Sequence, residues 1–307
     1  MSVIKTVGLT KNYGDFCAVN DLNITVEHGK VYGFVGKNGA GKTTTINMIL
    51  SLLKSSEGEI YIDDELIGFN DIDYKKKIGF VSDVPVFPSY MDAVEYLTFV
   101  ADVFEMEKNI IKPRIKEVLN FVGLDLSKKL VKGYSRGMKQ RLAIAAGLIN
   151  SPDILIMDEP TSALDPVGRK QVLDIIGKLK GEKTVFYSTH ILSDVERVCD
   201  VVCLIDEGKL LIEDTISNIK SKYYLKRFSL DTTNNELALK LLKEVNWIKE
   251  VDKYNNKITI EYNDEIKSKH KLMKLMLEND LDIIEISRVE MNLEDIFMKV
   301  VNHENIT

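Results

Sequence analysis

No run of apolar residues approaches the ~18 needed to cross a membrane. The longest candidate, residues 142–149, is short and falls inside an amphipathic helical pattern. Any membrane role is therefore expected to work by docking to another chain. Cysteine is scarce: only Cys17, Cys199 and Cys203 occur. Three cysteines make no disulfide framework, and Cys199 with Cys203 lack the further ligands a zinc site needs. Buried thiols in a reducing compartment are expected. Positive charge is not in excess, since the net charge is −6. That is a poor basis for general nucleic-acid binding, and none is expected. The start, Met1-Ser2-Val3-Ile4-Lys5, shows no signal-peptide pattern, so a cytoplasmic location is the expectation. Glycine is missing from residues 222–307. Against these absences stand 307 residues with 45% apolar content, enough for one large domain or two smaller ones.

The stretch that organises the rest is Gly36-Lys37-Asn38-Gly39-Ala40-Gly41-Lys42-Thr43-Thr44. It follows a β-rich run, Val31-Tyr32-Gly33-Phe34-Val35, and precedes a helix-like one, Thr45-Ile46-Asn47-Met48-Ile49-Leu50. Strand, glycine loop and helix, with the spacing G-x-x-x-x-G-K-[ST], is the context of a phosphate-binding loop. Glycines let the backbone wrap closely around phosphate oxygens. The loop N–H groups and the positive end of the helix then point at the anion. Lys42 is assigned to the β- and γ-phosphates and the Thr43 hydroxyl to Mg²⁺. A chance match in a chain of this length has odds of roughly one in a hundred, so ATP-type nucleotide binding is the reading carried forward.

Residues 3–35 read as strands, with an irregular alternation from Val3 to Leu9 and a cleaner one at Leu22, Ile24 and Val26. The helix after the glycine loop is expected to reach about Leu53, followed by strands at 59–62 and 78–81 and a proline-punctuated loop at 82–88. Asp92 with Glu95 forms a capping-box-like helix start, and that helix is expected to run to about Phe104. A second helix is expected at about 110–122, with Pro113 in its first turn and Gly123 as its stop. A third is expected at 136–149. These define a helical subdomain at about 89–150. Strand 154–157, helix 166–180, strand 184–188, helix 191–198 and strand 201–205 continue a β/α alternation that predicts a mainly parallel sheet covered by helices. A last strand is expected at 210–212. Beyond residue 216 the composition turns to Lys, Glu and Asn. Strands at 226–230, 257–262 (after an Asn255-Asn256 turn) and 282–289 are expected there, with helices at 235–243 and 265–278 and from Leu293. These predict a separate small α+β domain over 217–307.

Three later stretches narrow the kind of nucleotide-binding protein. Ile154-Leu155-Ile156-Met157-Asp158-Glu159 is an apolar strand ending in two carboxylates, whose end would lie beside the glycine loop. Asp158 suits Mg²⁺, and Glu159 suits the general base that polarises water. Ser188-Thr189-His190 ends the next strand, where His190 can hydrogen-bond the γ-phosphate. Tyr134-Ser135-Arg136-Gly137-Met138-Lys139-Gln140-Arg141 puts a serine and a glycine at a helix start, a second anion site.

With these in order, residues 1–216 resemble the ATP-binding cassettes of ABC transporters. Residues 36–43 are similar to Walker A, 154–159 to Walker B with its catalytic glutamate, and Ser162-Ala163-Leu164-Asp165 to the D-loop. His190 is similar to the switch histidine, and Tyr13, in Lys11-Asn12-Tyr13-Gly14, to the aromatic that stacks on adenine. The resemblance implies a P-loop NTPase fold of class α/β, with an N-terminal antiparallel β subdomain and a helical subdomain. It implies ATP and Mg²⁺ bound in a head-to-tail dimer, in which Ser135 and Gly137 contact the γ-phosphate held by the opposite cassette. It also implies a polytopic membrane permease partner, met through the helical subdomain and the loop around Asp83, and a peripheral place on the inner face of the cell membrane. Two positions depart from the common pattern. Arg136 and Met138 stand where Gly and Gln are usual, a version familiar in ABC-2-type exporters. Asp83 stands where Gln is usual. As a carboxylate it can ligate Mg²⁺ but adds negative charge near triphosphate, so it is carried as a third ligand behind Thr43 and Asp158. Asn292-Leu293-Glu294-Asp295-Ile296-Phe297 resembles the ending of ABC-2-type ATPases with a small accessory domain, among them drug, bacitracin, bacteriocin-immunity and sodium exporters.

The competing reading is a soluble ABC ATPase acting on ribosomes or nucleic acid. Ribosomal members usually carry two cassettes and repair members a long coiled coil; this chain has one cassette and an ordinary gap between Thr43 and Ser135. A regulatory module without turnover is disfavoured by the presence of both Glu159 and His190. The transported substrate is not written in this chain, because the permease would bind it.

Overall fold

The computed structural model describes residues 2–222, 227–254, 257–262, 265–289 and 292–301. The chain divides into two compact units, one built on Met1–Ile216 and the other on Ser217–Lys299.

The first unit opens with an antiparallel hairpin of β1 (Ser2–Tyr13) and β2 (Phe16–Glu27). Leu22, Ile24 and Val26 are buried in clean alternation, so β2 covers a core with one face. The irregularity of β1 is a β-bulge: register shifts between Thr6 and Leu9, where the Gly8 N–H donates to Asn23 Oδ1 at 2.8 Å. Next come β3 (Val31–Val35), wholly buried, and α1 (Lys42–Ile49). The expectation that this helix reaches Leu53 is corrected. Ser51 takes a φ of 49°, and the Leu52 and Leu53 N–H groups both fold back onto Asn47 O, closing the helix end. β4 (Glu57–Ile62) and β5 (Glu65–Leu66) complete a four-stranded sheet of order β2-β1-β4-β5.

A 3-10 turn at Asp73–Lys77 leads to β6 (Ile78–Val81). In α2 (Ala93–Val103), Asp92 and Glu95 form the expected reciprocal capping box, each side chain accepting from the other's N–H at 2.9 Å. α3 (Lys108–Phe121) starts earlier than expected, which puts Pro113 beyond its first turn; Gly123 at φ 67° follows its end as expected. α4 (Arg136–Gly147) precedes β7 (Ile154–Asp158), α5 (Pro166–Leu179), β8 (Thr184–Thr189), α6 (Leu192–Val198), β9 (Val201–Asp206) and β10 (Lys209–Thr215). The six-stranded sheet has the order β10-β9-β3-β8-β7-β6, parallel throughout except for β10. This is an α/β P-loop NTPase architecture. One face of the sheet, with Phe34 and Phe186 at 5.1 Å, packs with α1 and the antiparallel sheet into a continuous apolar core. The other is covered by α4, α5 and α6. Gly33 lets α6 close on β3, since a Cβ there would stand 2.8 Å from Val195.

The second unit opens with α7 (Ile216–Lys222). It runs β11 (Arg227–Thr232), α8 (Asn235–Lys243), β12 (Ile248–Tyr254), β13 (Lys257–Tyr262), α9 (Glu265–Glu278), β14 (Ile283–Arg288) and α10 (Leu293–Val301). Its antiparallel sheet, β12-β13-β11-β14, with α8 and α9 as crossovers, is a split β-α-β ferredoxin-like arrangement. Leu230, Ile258 and Ile260 pack under Ala238 and Leu242 of α8 and Leu272 and Met276 of α9. Strand β12 and helix α7 were not anticipated from sequence. The expected Asn255-Asn256 turn, Lys226 at the expected start of β11, and residues 302–307 lie outside the described residues.

Candidate functional site

The parallel sheet brings three segments together. β8 lies between β3 and β7, with Val35 opposite Thr189 and Asp158 opposite Ser188. The glycine loop, the Asp158-Glu159 pair and His190 thus leave adjacent strands at one edge, the side of a parallel sheet where ligands bind.

The glycine loop is locked by close approach as well as by backbone angle. Gly41, at φ 99°, caps α1, and a Cβ on it would come within 2.5 Å of Ala18 O on β2. A Cβ on Gly36 would meet Ile205 O at 2.6 Å. Ala40 is buried and its N–H closes on Lys37 O at 3.1 Å, leaving Lys37, Asn38 and Gly39 exposed at the tip. Lys42 is 6% exposed. Its Nζ donates to Gly36 O at 2.6 Å and Lys37 O at 3.2 Å, and stands 3.3 Å from Glu159 Oε1. Thr43 and Thr44 begin the helix beside it.

The Thr43 hydroxyl donates to Asp158 Oδ2 at 2.8 Å, and the Ser188 hydroxyl to Asp158 Oδ1 at 2.9 Å. Burial pushes the Asp158 carboxyl above its ordinary range; the Thr43 and Ser188 hydrogen bonds pull it down, and the charges of Glu159 and Asp83 push it up. A divalent cation in front of this carboxylate would offset that cost. The donor set is hydroxyl and carboxylate oxygen, which fits Mg²⁺. Among the described residues no group of three or more His, Cys, Asp or Glu side chains could hold a metal alone. An ion held by Thr43 and Asp158 would need its remaining ligands from phosphate and water, as Mg²⁺ commonly does.

Glu159 adopts a φ of 47°, a left-handed conformation uncommon for a residue with a side chain. Its N–H donates to Ser188 O at 2.9 Å, and its carbonyl accepts from the Ser162 hydroxyl at 3.0 Å. Oε2 lies 2.9 Å from His190 Nδ1. Oε1 is buried and has no hydrogen-bond partner. A buried carboxylate oxygen that is ion-paired with Lys42 at 3.3 Å but in no hydrogen bond has acceptor capacity left for water.

Other predicted residues stand apart from this cluster. Tyr13 ends β1, half-exposed, with Lys11 Nζ 5.2 Å over its ring and Phe16 opposite it across the hairpin. Asp83 is exposed and its Oδ1 accepts from the Val84 N–H at 2.7 Å, not from a metal-site residue. Ser135 is exposed and N-caps α4 by accepting from the Met138 N–H at 3.2 Å; Gly137 sits in the first turn beside it. First-turn N–H groups of a helix have no intrahelical acceptor, which leaves this helix start able to meet an anion.

Sequence reasoning missed three participants. Ser188 was quoted within the His190 motif without a role, yet it fixes Asp158. Buried Gln140 donates to Ser82 O at 3.4 Å, tying α4 to the Asp83 loop. Asp194 lies one helical turn after His190, and nothing in its local pattern marks it.

Comparison with known proteins gives a consistent answer. Residues 19–162 match the family described as "ABC transporter", and residues 215–301 the "ATP-binding protein DrrA1-3-like, C-terminal domain". The bacitracin transport ATP-binding protein BcrA of Bacillus licheniformis is 41% identical over 305 residues, covering 98% of this chain and 97% of that one. The lantibiotic transport ATP-binding protein SrtF of Streptococcus pyogenes is 38% identical over 213 residues, covering 69% and 90%. A dimeric ATP-binding cassette solved in a post-hydrolysis state with ADP and phosphate superposes with a TM-score of 0.61 at 28% identity, covering 69% of this chain and 98% of that one.

Proposed function

The chain belongs to the ABC transporter ATP-binding family, as an ATP-hydrolysing subunit of the exporter branch, and from that premise we propose which residues act and what the subunit docks to. The observation that carries the reading is the convergence of Lys42, Thr43, Asp158, Glu159 and His190, linked by hydrogen bonds and ion pairs at one sheet edge. Residues 36–44 cradle the phosphates, and Tyr13 stacks on adenine. Thr43 and Asp158 hold Mg²⁺, which when bound neutralises phosphate charge. Asp83, whose Oδ1 is turned to the Val84 N–H, is at most an outer contributor to that ion. Glu159 accepts the proton of the attacking water through Oε1, and His190 holds Glu159 in place through Oε2 and reaches the γ-phosphate. Ser135 and Gly137 complete the site of a second cassette, head to tail.

The permease is proposed to dock beside the helical subdomain, residues 89–150. An apolar cleft of about 360 Å³ opens there between Leu52, Phe80 and α2, lined by Tyr96, Val100 and Phe104. Leu52 and Phe80 are exposed there. Such a cleft suits a short amphipathic segment of a membrane protein. No helix among the described residues is long and apolar enough to cross a membrane. Attachment is by this contact, on the inner face of the cell membrane. The cargo follows the relatives' printed roles: a peptide antibiotic of the bacitracin or lantibiotic kind, moved outward.

The reading as a soluble ATPase on ribosomes or nucleic acid has the second unit against it. The open face of its sheet carries Asp231, Glu250, Asp252, Glu261 and Glu285 against Arg227, Lys249 and Lys257, and the three cations are already paired with Glu250, Glu261 and Glu285. Among the described residues, that leaves no unpaired basic patch on this face for phosphate.

Co-purification tests the docking. Phe80→Glu with Phe104→Glu should free the chain from membranes that carry its permease, while ATP affinity stays within about twofold because neither residue touches the phosphate loop. Retention on the membrane with both changes would place the permease elsewhere.

A further inference from the structure

Behind the hydrolytic residues lies a buried polar cluster that the roles above leave unused. Asp194, in the first turn of α6, is 1% exposed. Its Oδ2 accepts from the Thr161 hydroxyl at 2.8 Å and the Tyr187 hydroxyl at 3.1 Å. Its Oδ1 accepts from Arg169 Nε at 2.7 Å. The Thr161 and Tyr187 oxygens are themselves 3.0 Å apart, and Arg169 continues to the Ser193 hydroxyl at 2.9 Å. Thr161 and Tyr187 are buried as fully as Asp194. Burial and the Asp194 charge push the Tyr187 hydroxyl well above its ordinary range, so it stays protonated and donates.

The four residues come from four places that matter to the reaction. Thr161 follows Glu159 by two residues and opens the Ser162-Ala163-Leu164-Asp165 loop. Tyr187 lies on β8, three residues before His190. Asp194 lies four residues after His190. Arg169 belongs to the first turns of α5, which Asp165 caps by accepting from the Gly168 N–H at 3.2 Å. Beside it α4 and α5 touch, since a Cβ on Gly168 would stand 3.7 Å from Gly137 Cα. One carboxylate therefore joins the segment after Glu159, the strand that delivers His190 and the helix that carries the loop toward Gly137. A desolvated carboxylate is costly unless both its oxygens are hydrogen-bonded, as they are here.

We propose that Asp194 is a positioning residue for ATP hydrolysis: by holding Thr161 and Tyr187 together it keeps Glu159 and His190 in register across the β7–β8 edge. It touches neither nucleotide nor attacking water. Its effect falls on the rate of the chemical step and not on nucleotide binding, because the phosphate loop shares no member with the cluster.

Removing Asp194 itself would strand Arg169, so the test removes its other donors. Thr161→Val and Tyr187→Phe each delete one hydroxyl at nearly constant volume. In the full chain the double variant should lose kcat by about 10- to 100-fold, the scale of an ångström-level misplacement. Its KM for ATP should stay within about twofold of wild type, although its thermal midpoint should fall, because Asp194 Oδ2 is left buried without a donor. Thr161→Ser, which restores a hydroxyl, should recover most of the rate on the Tyr187→Phe background. Unchanged kcat overturns the proposal. So does a fall in kcat accompanied by a risen KM that Thr161→Ser does not repair. The proposal rests on Glu159 and His190 being the hydrolytic pair, and Glu159→Gln run alongside separates the two. If Glu159→Gln still turns over, that reading falls; if it is dead while the double variant is normal, only the positioning role falls.

Discussion

Lys42 carries the largest single share of nucleotide binding in this account. It is buried, held by two loop carbonyls, and aimed at the place where phosphate oxygens would sit. A charge-assisted contact of this kind contributes about 1.5–3 kcal/mol, or roughly 10- to 150-fold in affinity. Lys42→Ala should show that loss by calorimetry with its circular dichroism intact; unchanged affinity would remove Lys42 from the phosphate site. Most of the site was legible at this scale because each of its three segments carries its own local pattern. Glycine spacing named the loop, and a buried strand ending in Asp158 and Glu159 named its partner. The carboxylate Asp194 was not legible. Its partners Thr161, Tyr187 and Arg169 come from three other segments, and only the sheet register brings them to one point.

At the scale of elements, caps and most helix ends were readable, and the end of the first helix was not. Asp92 and Glu95 form the box their spacing predicts. The first helix was overrun because Leu50, Leu52 and Leu53 extend its apolar pattern, although Ser51 has already turned the backbone. β12 escaped because a register shift between Ile248 and Glu250 puts Ile248 and Val251 on the core side, a spacing of three where alternation needs two. The contact between α4 and β6 offers a sharp test of element packing. A Cβ on Gly79 would stand 1.9 Å from Gly147 O, which is backbone and cannot rotate away. Gly79→Ala should therefore cost at least the ~1–3 kcal/mol of an overpacked core. For a unit of this size that lowers the thermal midpoint by several degrees, about 2–4 °C per kcal/mol. A midpoint equal to wild type would mean that α4 does not lie against β6 as described.

For the whole molecule, the division of labour follows from where the two anion-binding helix starts lie. Lys42 and Thr43 belong to the site containing Glu159, whereas Ser135 caps its own helix and stands exposed with Gly137 at the start of α4. The fold of the first unit was readable as a class because β/α alternation dictates a parallel sheet. The ferredoxin-like order of the second was not, since it depends on the pairing of β11 with both β13 and β14. The central claim is that ATP is hydrolysed between two cassettes, with Glu159 as the base. Glu159→Gln keeps the side-chain shape and removes its charge and basicity, so turnover should fall by about 10²–10⁴-fold. Binding through Lys42 and Thr43 survives, and one negative charge beside the γ-phosphate is gone. Size-exclusion chromatography with light scattering then gives the decisive reading. Glu159→Gln should run as a monomer without nucleotide and as a dimer with ATP and Mg²⁺, and adding Ser135→Arg should return it to monomer by blocking the contact across the interface. A dimer indifferent to Ser135→Arg, or near-normal turnover in Glu159→Gln, would contradict the account.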